Sequence, residues 1–109
     1  MLYVLNTAVL PLKEGQEYVI KAKQLGVKEA SELLKNQQFT SAVGHEATAQ
    51  MLSNVLGVEI KFSRIQIQLT SGDKVISMLL KKRLPEGQVL KTVEELEQIG
   101  YTIWFFEVN

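Results

Sequence analysis

The chain of 109 residues contains one imidazole. His45 stands in TSAVGHEATAQ, residues 40–50, with glycine before it and glutamate after it. Ser41, Ala42, Gly44, Ala47 and Thr48 around it are small, which leaves room for a ligand to approach the backbone. Ala47, Met51, Leu52, Val55 and Leu56 follow at helical spacing, and Gly57 stands where a helix commonly ends. The pattern predicts a helix entered at Ser41 or Gly44, with His45 in its first turn. Unpaired N–H groups and the positive end of the dipole face outward there, a ready place for a phosphate. An imidazole beside a phosphate can do general acid–base work on a phosphodiester. A lone histidine at a helix start is more often a plain surface residue, and the small neighbours are what set this one apart.

Arg83 and Glu86 form a second constellation. An arginine at the end of a strand, a proline turn and a glutamate three residues on can bring both side chains to one sheet edge. Spacing alone narrowly favours an ordinary surface ion pair there, of small energetic weight. Arg64, which opens the run RIQIQL, is on spacing alone a solvated surface arginine.

Composition narrows the chemistry. No cysteine is present, which removes disulfides, thiolate catalysis and cysteine-ligated zinc and fits a reducing compartment. With one histidine and no tight carboxylate cluster, a metal site is not expected, nor is a cofactor. Net charge is zero, from 12 basic and 12 acidic residues, which argues against a coat protein held to nucleic acid by bulk charge. The distribution is uneven. Residues 61–91 hold Lys61, Arg64, Lys74, Lys81, Lys82, Arg83 and Lys91 against Asp73 and Glu86, while residues 92–109 hold four glutamates and no basic residue. A basic segment in a neutral protein suits a discrete anion better than a long polyanion.

The elements that must position these groups follow from periodicity. Residues 2–6 and 17–25 read as strands, 27–36 as a helix, and NQQFTS as the break after it. RIQIQLTSGDKVISMLLKKR, 64–83, reads as a hairpin of two alternating runs joined by TSGD and stopped by LPEG. Residues 92–100 carry a capping box, Thr92 with Glu95, and end on glycine. Residues 101–108, YTIWFFEV, are an aromatic strand in which Trp104, Phe105 and Phe106 suit core or interface better than base stacking. The fold class expected is α/β: one domain, residues 1–109, with a mixed sheet of about five strands flanked by about three helices. The apolar N-terminus lacks a basic leader, and no run reaches the roughly 20 apolar residues of a membrane span, so the chain reads as soluble and cytoplasmic with no membrane partner.

Taken together, SAVGHEAT, SRIQIQL, KKRLPEG and the closing FFEV resemble the small viral ring nucleases of archaeal viruses, the type III anti-CRISPR nucleases, over nearly the whole chain. The resemblance implies a metal-independent phosphodiesterase that cleaves cyclic tetra-adenylate, the second messenger of type III CRISPR defence, in the cytoplasm of the infected host cell. It implies a homodimer with the ring at the interface, and a ring of four equal units has a two-fold axis that an isologous dimer can match. Residue by residue, His45 matches the catalytic histidine, and Arg83 and Glu86 match the motif arginine and glutamate. Arg64 and Asn6 match ligand contacts, and Gly44 of the histidine motif and Arg83 are expected to bind the ligand with them. The chain departs from the family at Leu79, where a relative has glutamine, and at Val9, which stands for a ligand-contacting serine.

Two other readings compete. A dimeric DNA-binding regulator would use the basic 61–91 segment, and its binding would weaken steeply with salt. A non-catalytic module would use the terminal aromatic strand for association and give His45 no role.

Overall fold

The computed structural model describes residues 1–7, 10–81 and 93–109. Along the described chain run β1 (Leu2–Leu5), β2 (Ile20–Leu25), α1 (Val27–Asn36), β3 (Thr40–Ser41), α2 (Glu46–Leu56), β4 (Lys74–Leu80), α3 (Val93–Ile99) and β5 (Tyr101–Val108). The strands form one sheet in the order β2-β5-β4-β1-β3. β1 is parallel to both β3 and β4, and β5 is antiparallel to both β4 and β2. This is the mixed α/β sheet expected from the sequence, with five strands and three helices among the described residues.

Alternation along the strands divides the core. Leu2, Val4, Ile76, Met78 and Ile103 pack against Ala30 and Leu34 of α1, Ala49, Met51, Leu52 and Leu56 of α2, and Leu96 of α3. The three helices therefore cover one face. The other face, with Leu5, Val75 and Val108, packs against Leu69, Leu10, Tyr18 and Ile67, which belong to connecting segments rather than to helices. Both helix ends predicted from glycine hold. Gly57 closes α2 at φ 66° with its N–H on the Ser53 carbonyl, and Gly100 follows α3 at φ 85° with its N–H on the Leu96 carbonyl. A Cβ at Gly100 would meet Lys81 Cδ at 2.9 Å, so glycine also lets the start of β5 lie against the end of β4.

The expected hairpin over 64–83 is not formed. TSGD is a turn, closed by the Asp73 N–H on the Thr70 carbonyl and by the Asp73 carboxylate, which accepts from the Thr70 N–H and hydroxyl. The run before it nevertheless has no edge to pair with. β4 is bonded on one side to β1 and on the other to β5 through Lys74–Leu80. Residues 64–70 therefore lie outside the sheet, with one isolated bridge, Leu69 to Leu12, and their alternation reflects Ile67 and Leu69 turned onto the second core. The fifth strand is instead the two-residue β3, within the stretch read as a break, and β2 begins at Ile20 rather than at residue 17. Thr92 lies outside the described residues.

Ser77, in the middle of β4, is fully buried, and its hydroxyl has no hydrogen-bond partner among the described residues. An unpaired buried hydroxyl destabilises a fold. Ser77→Ala is expected to leave the urea midpoint unchanged or raise it, by up to about 1 kcal/mol; a clear drop in that midpoint would show that the hydroxyl is bonded in solution.

Candidate functional site

Asn6 follows β1 and the SAVGHEAT segment follows β3, so the parallel pairing of the two strands brings both to the same end of the sheet. β4, parallel to β1, also ends there at Leu80. The carboxyl edge of parallel strands is where ligands bind in open α/β sheets.

The chain leaves β3 through a tight set of bonds. The Ser41 hydroxyl donates to the Lys61 carbonyl at 2.6 Å and accepts from the Val43 N–H at 3.3 Å. The Ser63 N–H donates to the Val43 carbonyl at 2.9 Å. One residue further, Arg64 Nε donates to the Gly44 carbonyl at 3.0 Å. Residues 60–64 are thus stitched to residues 41–44, and the stitch is anchored in α2, where the Ser53 hydroxyl accepts from the Ile60 N–H.

His45 is the N-cap of α2, one residue ahead of the first-turn place expected, with φ −130° and ψ 123°. Neither Ser41 nor Gly44 opens the helix: Ser41 closes β3. The helix begins one residue later than expected because the stitch holds 41–44 extended along residues 60–64, so the backbone is free to turn only at His45. Its carbonyl starts the helix by accepting from the Ala49 N–H, and its imidazole caps no backbone N–H and is exposed. The ring is therefore available to a ligand, as are the unpaired first-turn N–H groups beside it. Gly44 has no positive φ, and a Cβ there would meet only Arg64 Cγ, at 3.6 Å. Neither backbone strain nor packing requires glycine at this position; what it provides is open backbone next to the imidazole.

Arg64 lies in an irregular segment rather than opening a strand. Its Nε is held by Gly44, which leaves the rest of the guanidinium fork to face outward. Its Cζ lies 5.8 Å from the centroid of the Phe62 ring, close enough for cation–π attraction. Phe62, which is exposed and bridges to Val43, was not signalled by the sequence; an aromatic two residues before an arginine is too common a spacing. Asn6 lines a cleft of about 680 Å³ beside Ala42. Leu79 is half-buried opposite Thr102. The structure therefore brings His45, Gly44 and Arg64 together and sets Asn6 on the neighbouring strand end. Arg83, Glu86 and Val9 lie outside the described residues.

Burial, and secondarily the Glu97 carboxylate, push the Tyr101 phenol above its ordinary value, so this group near the end of β4 stays neutral in the physiological range. Among the described residues no group of three or more histidine, aspartate or glutamate side chains is placed to hold a metal ion, and no helix is long and apolar enough to cross a membrane.

These features define a small α/β domain with helices on one face and a histidine–arginine site at the carboxyl edge of its parallel strands. The family model described as STIV B116-like matches residues 2–103, and the chain belongs to that family. It is 67% identical over 108 residues to uncharacterized protein 26 of Sulfolobus islandicus filamentous virus, covering 99% of this chain and 92% of that one. Uncharacterized protein ORF117 of Acidianus two-tailed virus is 39% identical, covering 98% and 92%. A bacterial relative, uncharacterized protein YddF of Bacillus subtilis, is 33% identical, covering 77% and 79%. Among solved structures, B116 of Sulfolobus turreted icosahedral virus shares the fold, with a TM-score of 0.73 at 22% identity over 97% of both chains. The similarities place the chain among proteins of archaeal viruses.

Ser41 is the central fastener of the site. Ser41→Ala would leave the Lys61 carbonyl and the buried Val43 N–H without their partner. It is expected to lower stability by about 1–3 kcal/mol, read as a fall in the urea midpoint.

Proposed function

We propose that the protein is a metal-independent ring nuclease that cleaves cyclic tetra-adenylate to di-adenylates ending in a 2′,3′-cyclic phosphate, and so silences type III CRISPR defence in the cytoplasm of the infected cell. The reading rests on the resemblance of the SAVGHEAT, SRIQIQL and KKRLPEG motifs to the viral ring nucleases. The observation that carries it is the bond from Arg64 Nε to the Gly44 carbonyl, which fixes a cation beside an exposed imidazole at a helix start. A helix N-terminus, a guanidinium and an imidazole are complementary to a phosphodiester.

In the proposed reaction the 2′-oxygen of one adenylate attacks its own 3′-phosphorus, and the bond from phosphorus to the next nucleotide's 5′-oxygen breaks. His45 gives its proton to the departing 5′-oxygen, a contribution of typically ~10²–10⁴-fold. Glu86 orients the ribose or takes the 2′-hydroxyl proton. Arg83, with backbone N–H groups at the start of α2, stabilises the charge that develops on the phosphoryl oxygens. Arg64 and Asn6 hold the ring. The nucleophile belongs to the substrate, so binding geometry alone can set the in-line approach and no metal-bound water is called for. In a homodimer with the ring across its axis, each subunit would offer one such site.

The test is incubation with cyclic tetra-adenylate in excess EDTA, followed by chromatography and mass analysis, for the wild type and His45→Ala. The expected outcome is conversion to di-adenylates with a cyclic phosphate by the wild type, a fall of about 10²-fold or more in the variant, and little change in ring binding. An intact ring with wild-type protein would overturn the assignment, and an unchanged rate in the variant would remove His45 from the mechanism.

A further inference from the structure

Phe62 is 47% exposed, and among the described residues neither apolar core includes it. Packing therefore does not account for an aromatic side chain at this position. Its ring meets the Arg64 guanidinium instead, with Cζ 5.8 Å from the ring centroid. Side chains two residues apart on an extended stretch share a face, which is why the two can touch. The backbone does not need the ring. The bond from the Ser41 hydroxyl to the Lys61 carbonyl and that from the Ser63 N–H to the Val43 carbonyl hold the chain on either side of it.

The two restraints on Arg64 share one property: neither carries a net charge. The Gly44 carbonyl accepts from Nε at 3.0 Å, and the phenyl ring attracts the cation through its quadrupole. Among the described residues no carboxylate pairs with this arginine. A carboxylate would hold the guanidinium in place and neutralise it at the same time. Neutral partners remove rotamer freedom that an arriving anion would otherwise have to freeze out, and they leave the whole charge for that anion.

We infer that Phe62 is a positioning residue, whose ring holds the Arg64 guanidinium in the orientation in which it meets a phosphate of the cyclic adenylate. The inference rests on the reading of the protein as a ring nuclease and adds a residue that acts through Arg64 alone. Leucine at this position keeps an apolar side chain without a π face, and tryptophan offers the face that attracts cations best.

The experiment is calorimetric titration with cyclic tetra-adenylate in the His45→Ala background, where the ligand stays intact. Phe62→Leu is expected to weaken binding about two- to fivefold, the worth of an exposed cation–π contact. Phe62→Trp should bind as Phe62 does or more tightly, and Phe62→Leu should have no further effect once Arg64 is replaced by alanine. Unchanged affinity in Phe62→Leu, an equal loss in Phe62→Trp, a loss that persists in the Arg64→Ala background, or a fall in the urea midpoint of Phe62→Leu would each overturn the inference. A second readout needs no nucleotide: the NMR signal of the Arg64 Nε–H should carry a ring-current shift with Phe62 in place and lose it in Phe62→Leu. A shift that behaves in this way in a protein that binds no cyclic tetra-adenylate refutes the nuclease and keeps the role of Phe62. A signal indifferent to the substitution, with binding intact, refutes that role alone.

Discussion

The double occupancy of β4 determines the rest of the structure. With β1 bonded along one edge and β5 along the other, the strand offers nothing to the residues that precede it. Those residues are rich enough in alternating isoleucine and leucine to pair, so they must bury their apolar side chains elsewhere. Ile67 and Leu69 do so on the face of the sheet that the helices leave open. That displacement carries residues 60–64 past the exit of β3, where Ser41, Val43 and Gly44 bond to them one after another. Arg64 arrives beside His45 as a consequence. A hairpin in the expected place would have carried it to a different part of the sheet.

The stitch is polar where the remainder of the fold is apolar, and this difference has a function. A hydrophobic contact fixes position loosely, whereas hydrogen bonds of 2.6–3.0 Å to named carbonyls fix a side chain within a few tenths of an ångström. Arg64 is restrained twice, by Gly44 through its Nε and by the Phe62 ring under its guanidinium. A long, rotamer-rich side chain that is already held loses less entropy when it meets an anion. Preorganisation of this kind separates an arginine that can assist phosphate chemistry from one that merely neutralises it.

The helices and their ends were legible because their signals are local. Glycine at the close of α2 and α3, and apolar residues at 3.6-residue period between, depend on nothing distant in the chain. The aromatic β5 was legible for its length and composition. The pairing of strands was not legible, because whether an alternating run finds an edge depends on which strands have already claimed it. RIQIQL satisfies every local criterion of a strand and is excluded by topology. Thr40–Ser41 satisfies none of them and is a strand because β1 has an edge to spare. The partnership of Phe62 with Arg64 was hidden for a related reason: it needs the backbone near Gly44 to hold the guanidinium still, and that proximity comes from the misread connection.

Folding also redistributes the basic segment that stands out in the linear sequence. Lys74 opens β4, where its N–H bonds to the Met1 carbonyl, while Lys81 follows its far end. At roughly 3.3 Å per residue these two lie about 20 Å apart, too far to act on one small ligand. Lys61 and Arg64 are drawn instead to the exit of β3, toward the same edge of the sheet at which β4 ends. The positive charge is thereby divided between opposite ends of the sheet rather than laid out as a stripe. A duplex backbone rewards a continuous row of cations, because each phosphate neutralised releases a counterion. A compact anion needs only two or three cations and a set of N–H donors converging on one point. The end of the sheet that carries Arg64, His45 and the start of α2 has that convergent form. At the other end the acidic Asp73 is bonded to the N-terminal ammonium and to Thr70. At the edge by the exit of β3 the guanidinium of Arg64 and the start of α2 stand beside an imidazole that has no hydrogen bond among the described residues.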